Sequence, residues 1–149
     1  MRILRENISK IYFILTLLLL ISNRANADEI VNIISVSDGD TIKILYENEK
    51  QAVRLLDIDC FETSKNRRAI KQSEYYHISI GEVIKRGMYS KEMLTNLLKK
   101  QSKVILSYEK YDRYHRILGN VSTLDGININ EYMKKSGGCN EYVEFSYKN

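Results

Sequence analysis

The sequence predicts an α+β, mainly β domain: a five-stranded OB-fold barrel with two to three helices. Three observations predict it. Short apolar runs alternate with period two, which is the pattern of half-buried strands. Asp-Gly signals separate them, as turns between strands require. The order is three strands, a helical stretch, two strands and a last helix, and a small Greek-key barrel of this type needs a helix between its third and fourth strands.

Each element has its own local reason. Glu29 to Val36 is rich in Ile and Val and ends at Ser37-Asp38-Gly39-Asp40. Thr41 to Leu45 alternates with period two, Tyr46 to Gln51 reads as a polar turn, and Ala52 to Leu56 resumes an extended apolar run. The three strands are expected to form an antiparallel meander, within a barrel of five antiparallel strands. Glu62 to Ile78 has no clear period and carries Lys65, Arg67, Arg68 and Lys71, so it reads as a basic loop or weak helix with a solvated charged face. Ser79 with Glu82 fits a capping box, and the helical spacing that follows breaks near Gly87, predicting a short turn and then a helix over Ser90 to Lys100. Val104 to Tyr108 and Ile117 to Val121 read as strands, followed by a second turn at Asp125-Gly126. Asn128 caps a last helix that Gly137-Gly138 stops, and the tail from Cys139 carries no helix signal.

With 149 residues, 44% hydrophobic, 28% charged and two Cys, the chain is one domain and neither collagen-like, disordered nor disulfide-dense. Residues 1–27 read as a secretory signal peptide: basic Arg2, Arg5 and Lys10, an apolar run from Ile11 to Ile21, and Ala25-Asn26-Ala27 as the cleavage signal. The mature domain is then 28–149, secreted or periplasmic. An uncleaved leader acting as a membrane anchor is the alternative, disfavoured because a span needs roughly 20 apolar residues. The leader holds four basic residues against Glu6, so the formal net charge of +4 falls to about +1 without it. Bulk basicity therefore carries no argument for a polyanionic partner. After export Cys60 and Cys139 are free to form one disulfide or to remain buried thiols.

Carboxylates gather at strand ends. Asp38 and Asp40 flank the first turn, while Asp57, Asp59 and Glu62 follow the third strand. So many acids on two neighbouring ends raise one another's pKa, and a hard cation relieves them. Zinc is disfavoured, because only His77 and His115 are present and the cysteines lack ligand spacing. Arg54 interrupts an apolar strand, and Tyr111-Asp112-Arg113-Tyr114-His115-Arg116 alternates aromatic and charged residues. Taken singly, each arginine reads as a salt-bridge partner, Arg54 of Asp57 or Glu62 and Arg116 of Asp112 or of a neighbouring strand. Taken together, two guanidinium groups suit a phosphate and tyrosines suit stacking on a base or sugar.

Val36 to Ile44, Val53 to Thr63 and Lys110 to Arg116, in that order and spacing, closely resemble the thermonuclease family, the staphylococcal nuclease homologues, from about Val31 through Gly137. The resemblance implies a Ca²⁺-dependent nuclease acting on DNA and RNA with little sequence preference and leaving 3′-phosphate ends. It implies that Asp40, Asp59 and the carbonyl of Cys60 hold the metal, that Glu62 activates water, and that Arg54 and Arg116 bind the phosphate. Asp38, Thr41 and Tyr114 resemble residues lining the same site. A monomer is expected, with nucleic acid as substrate and no stable membrane partner after leader cleavage. Phe61 stands where a proline is typical, and His115 stands where glycine is common. The alternative is a catalytically inactive OB-fold module that binds single-stranded nucleic acid or another polyanion.

Overall fold

The computed structural model describes residues 28–99 and 102–143; the leader, Lys100 and the tail beyond 143, with Phe145, lie outside the described residues. Strands β1 (Glu29–Asp38), β2 (Thr41–Tyr46), β3 (Glu49–Leu55), β5 (Lys103–Tyr111) and β6 (Ile117–Thr123) close a barrel in the order β1-β2-β3-β6-β5. Closure follows from the β1–β5 pairing, Ile30 opposite Ile105. A short strand β4 (Ile58–Asp59) leaves β3, and β7 (Asn140–Glu141) pairs with it.

Alternation works as the period-two reading requires. In β2, Ile42 and Ile44 are fully buried while Lys43 and Leu45 face out; in β6, Ile117, Gly119, Val121 and Thr123 point in. Val31, Val53, Leu55, Val104 and Leu106 complete the barrel core.

The expected all-antiparallel barrel is corrected at one seam. β3 and β6 run parallel, Val53 beside Ile117 and Arg54 beside Leu118. A meander fixes the direction of strands joined by tight turns, but these two are separated by helices, so neither's direction follows from the other's sequence. The polar turn expected at Tyr46 to Gln51 shrinks to Glu47 and Asn48, both with positive φ, and the strands extend to meet them. That is the hairpin geometry whose twist matches the flanking strands.

Helix α1 (Arg67–Tyr76) occupies the segment expected to be a loop or weak helix. Asn66 caps it, its side chain accepting from Ala69 N at 2.8 Å. Helix α2 (Ile80–Leu98) starts at the expected Ser79 cap but runs unbroken through Gly87, where two pieces were expected. Gly87 is a packing position. A Cβ there would strike the carbonyl of Glu62 and stand 2.6 Å from that of Phe61, so its absence lets the helix lie directly on the loop that presents Glu62. Helix α3 (Ile129–Lys135) has the expected Asn128 cap, and buried Asn130 fastens it to the barrel through Leu56 O and Val121 N. Among the described residues no helix is long and apolar enough to cross a membrane.

The β4–β7 ladder sets Asp59 opposite Asn140, which brings Cys60 opposite Cys139. These cysteines form a disulfide, their Cα atoms 4.2 Å apart and 79 residues apart in sequence.

Candidate active site

Three chain reversals build the site. The first is the turn between β1 and β2. Gly39 has no room for a side chain: a Cβ would come within 2.6 Å of Ser90 on α2 and 2.9 Å of Cys60. Helix and disulfide therefore press against this turn and aim Asp40 inward. The carboxylate of Asp40 accepts from Cys60 N at 2.9 Å and from the Thr41 hydroxyl at 3.1 Å.

The second reversal is Leu56–Asp57, where Asp57 takes a positive φ of 59° and folds the chain back so that Asp59 returns beside Arg54. Arg54 lies opposite Thr41 in the β2–β3 ladder, one residue from the first turn. Its guanidinium consequently reaches both acids, Asp40 Oδ2 at 2.8 Å and Asp59 Oδ1 at 3.3 Å. The pairing read from sequence, with Asp57 or Glu62, is corrected. Asp57 is exposed, and Glu62 is engaged elsewhere. A buried guanidinium needs its charge matched, and here two carboxylates match it.

Burial and like charge leave this centre short of positive charge. Asp38 is pushed up to about 7, first by burial and then by Asp40 beside it. Asp59, 1% exposed, is also raised by burial; Arg68 and Arg54 pull it back and Asp40 adds to the rise.

Glu62 is set by α1. Asn66 donates to its Oε2 at 2.6 Å, and Arg68 lies 3.6 Å from Oε1 while holding Asp59 Oδ1 at 2.6 Å. Gln72, one turn further on and fully buried, accepts from Glu62 N at 2.9 Å and donates to Cys60 O at 2.9 Å. Its amide thus fastens the loop between Asp59 and Glu62 where Phe61 replaces a proline. Asn66 and Gln72 are not singled out by the sequence, and Arg68, expected on a solvated charged face, is instead turned inward onto Asp59. The signal was present, since an Asn cap followed at i+2 and i+6 by Arg and Gln places both on one helical face.

The third reversal is the loop after β5. Asp112 accepts from the backbone N–H of Tyr114 at 2.8 Å and of Arg116 at 2.9 Å, and pairs with Arg116 Nε at 2.7 Å. Burial pushes Asp112 up, but these N–H groups and the guanidinium outweigh it and hold it below the usual carboxylate range. His115, in the glycine-favoured position, takes a φ of 57° and so adopts the left-handed backbone a glycine would. Tyr114 is exposed, with the guanidinium carbons of Arg113 and Arg116 at 4.9 and 5.6 Å from its ring centroid. The described contacts thus gather Asp38, Asp40, Thr41, Arg54, Asp59, Cys60 and Glu62 into one group. Arg116 and Tyr114 form a second, in the loop that leads into β6, whose first residue Ile117 pairs with Val53 of β3.

The donors suit a hard cation in kind. Two carboxylates from separate turns and the carbonyl of Cys60 are all oxygen, the donor type a hard cation takes. Among the described residues no three His, Cys, Asp or Glu side chains form a metal-holding group by themselves.

The family model described as Staphylococcal nuclease homologue matches residues 52–149, which takes in Arg54, Asp59, Glu62 and Arg116 and starts after the Asp38–Asp40 turn. A protein of Escherichia coli named Uncharacterized endonuclease is 30% identical over 114 residues, covering 76% of this chain and 61% of that protein. Its counterpart in Escherichia coli O157:H7 is 29% identical over 114 residues, with the same coverage. The chain spans about three fifths of the length of these relatives.

Proposed function

The chain belongs to the staphylococcal nuclease homologue family, and from that premise we propose that it is a secreted or periplasmic nuclease, Ca²⁺-dependent, hydrolysing phosphodiester bonds of DNA and RNA with little sequence preference. The observation that carries this reading is the buried guanidinium of Arg54 bridging Asp40 and Asp59. Acids from two turns and a guanidinium fork that suits a phosphate meet at one point.

In this reading Asp40, Asp59 and the Cys60 carbonyl hold the ion. Bound there, Ca²⁺ supplies Lewis-acid charge and a template for the phosphate. Glu62, anchored by Asn66, accepts the proton of a water as its oxygen adds to phosphorus and the bond to the leaving oxygen breaks. Arg54 stabilises the charge gathering on the non-bridging oxygens. Arg116 spends its Nε on Asp112, and a guanidinium with five N–H donors has others to offer the same phosphate. Tyr114 offers an exposed ring for stacking, which tolerates any base. Acids on the binding face would weaken a mere polyanion binder by repulsion, so the nuclease reading is preferred to a silent barrel.

The test is plasmid cleavage by the purified chain with Ca²⁺ or with a chelator. Cleavage in the first tube only, and a loss of about 100-fold or more in Glu62→Gln with an unchanged circular dichroism spectrum, are expected. Intact plasmid in both tubes would leave a binding module.

A further inference from the structure

Between Asp59 and Glu62 there is already a positive charge, and it belongs to the chain. Arg68 lies in the first turn of α1, and its place there is over-determined. The Asn66 cap fixes where the helix starts and also grips Glu62. Gln72, four residues after Arg68 and on the same face, is bolted to the backbone of Cys60 and Glu62. This registration delivers the Arg68 guanidinium to Asp59 at 2.6 Å, closer than Arg54 at 3.3 Å, and to within 3.6 Å of Glu62.

The two arginines on Asp59 differ in freedom. Arg54 is a tenth exposed, near the end of a barrel strand and set between Asp40 and Asp59. The Arg68 side chain is a quarter exposed at a helix end and carries a long, jointed stem. Of the two, Arg68 is the better placed to swing from Asp59 towards water. A divalent ion held by Asp59 would repel both guanidinium groups, and Arg68, the more exposed, is the one placed to yield.

We infer that Arg68 is a built-in counter-cation of the acidic cleft, neutralising Asp59 and Glu62 until a divalent ion enters and thereby setting the ion concentration that the site requires. The inference rests on the nuclease reading above. It makes Arg68 a positioning residue that acts through Asp59 and Glu62, and it predicts that deleting a native ion pair strengthens binding of another ligand. A purely structural role predicts the reverse.

The experiment is calorimetric titration of Ca²⁺ into the chelator-stripped full chain, wild type against Arg68→Gln and Arg68→Lys. Arg68→Gln should bind Ca²⁺ about tenfold tighter or more, and the Ca²⁺ concentration for half-maximal plasmid cleavage should fall in step. Lys, with its single ammonium unable to span both acids, should fall between. It also serves as the readout should Gln impair folding. In Asp59→Asn/Arg68→Gln the gain should vanish. Unchanged or weaker Ca²⁺ binding by both Arg68 variants, with wild-type cleavage intact, overturns the counter-cation and leaves the nuclease standing. Absence of Ca²⁺ binding and of cleavage in all three proteins overturns both.

Discussion

At the scale of single residues, the acids of the first turn predict an unusual pH response. Asp38 stands at about 7 against an ordinary value of 3.8, chiefly because burial and Asp40 disfavour its charge. The folded state therefore binds this proton more tightly than the unfolded chain does. Its stabilising effect is fully present below pH about 4 and is lost as pH rises towards 7. Asp38→Asn, neutral throughout, should make the chelated protein more stable than wild type at pH 7.5, by on the order of 1–2 kcal/mol after solvent screening at this partly exposed position. The difference should close below pH 4, and thermal melts across that range check it. A constant offset would mean that the proton is not held. Much of this residue-level chemistry was legible in the sequence, because turn acids and an arginine inside an apolar strand are exceptions to their local pattern. The partners were less so. Arg54 stands nearest Asp57 in the chain yet pairs with Asp40 and Asp59, since the left-handed turn at Asp57 points that acid outward.

At the scale of elements, strands and caps were legible wherever one face is buried, as in Ile42 and Ile44, or a cap side chain meets its amide, as at Ser79 and Asn128. Helix α1 was not. It buries only Ala69 and Gln72, so its apolar face is narrow: Ala69 and Tyr76 pack on Phe61 and Val83, and polar bonds to the site loop hold the rest. The break expected at Gly87 failed for a related reason: the glycine answers a tertiary contact, and helix propensity alone cannot reveal that. Two glycines of α2 turn this into a test. At Gly81 an added Cβ meets only the Ser79 hydroxyl at 3.8 Å, so Gly81→Ala should stabilise by up to about 1 kcal/mol. At Gly87 the same methyl meets the backbone of Phe61 and Glu62, and Gly87→Ala should cost about 1–3 kcal/mol despite better propensity. It should also lower cleavage more than its stability loss explains, because the displaced backbone carries Glu62. Denaturant melts beside plasmid assays at a temperature where the variant is fully folded separate the two effects. Equal signs at both glycines would refute the packing argument.

At the scale of the whole molecule, the barrel brings the turns together and the C-terminal segment locks them. Cys139 reaches the site from the far side of α3, its sulfur 3.6 Å from the carbonyl oxygen of Gly39, while its bonded partner Cys60 donates its backbone N–H to Asp40 and follows Asp59 directly. One covalent bridge thus touches both acidic turns. The β4–β7 ladder was illegible in sequence, for two residues on each side give no pattern; the bridge and the Tyr142 N–H on Asp57 O extend that ladder. Closing a loop of 79 residues' separation restricts the unfolded chain by about 4–5 kcal/mol on the chain-entropy account. Cys60→Ser/Cys139→Ser should therefore melt well below wild type. If the bridge also fixes the turns, the variant's Ca²⁺ affinity should fall several-fold at a temperature where both proteins are folded, and a reductant should do the same to wild type while leaving the variant unaffected. A lower melting point with Ca²⁺ affinity unchanged would reduce the bridge to a staple of the fold. A joint fall would mean that the carboxylate geometry, and with it any cutting by this cleft, depends on a bond that only an oxidising compartment maintains.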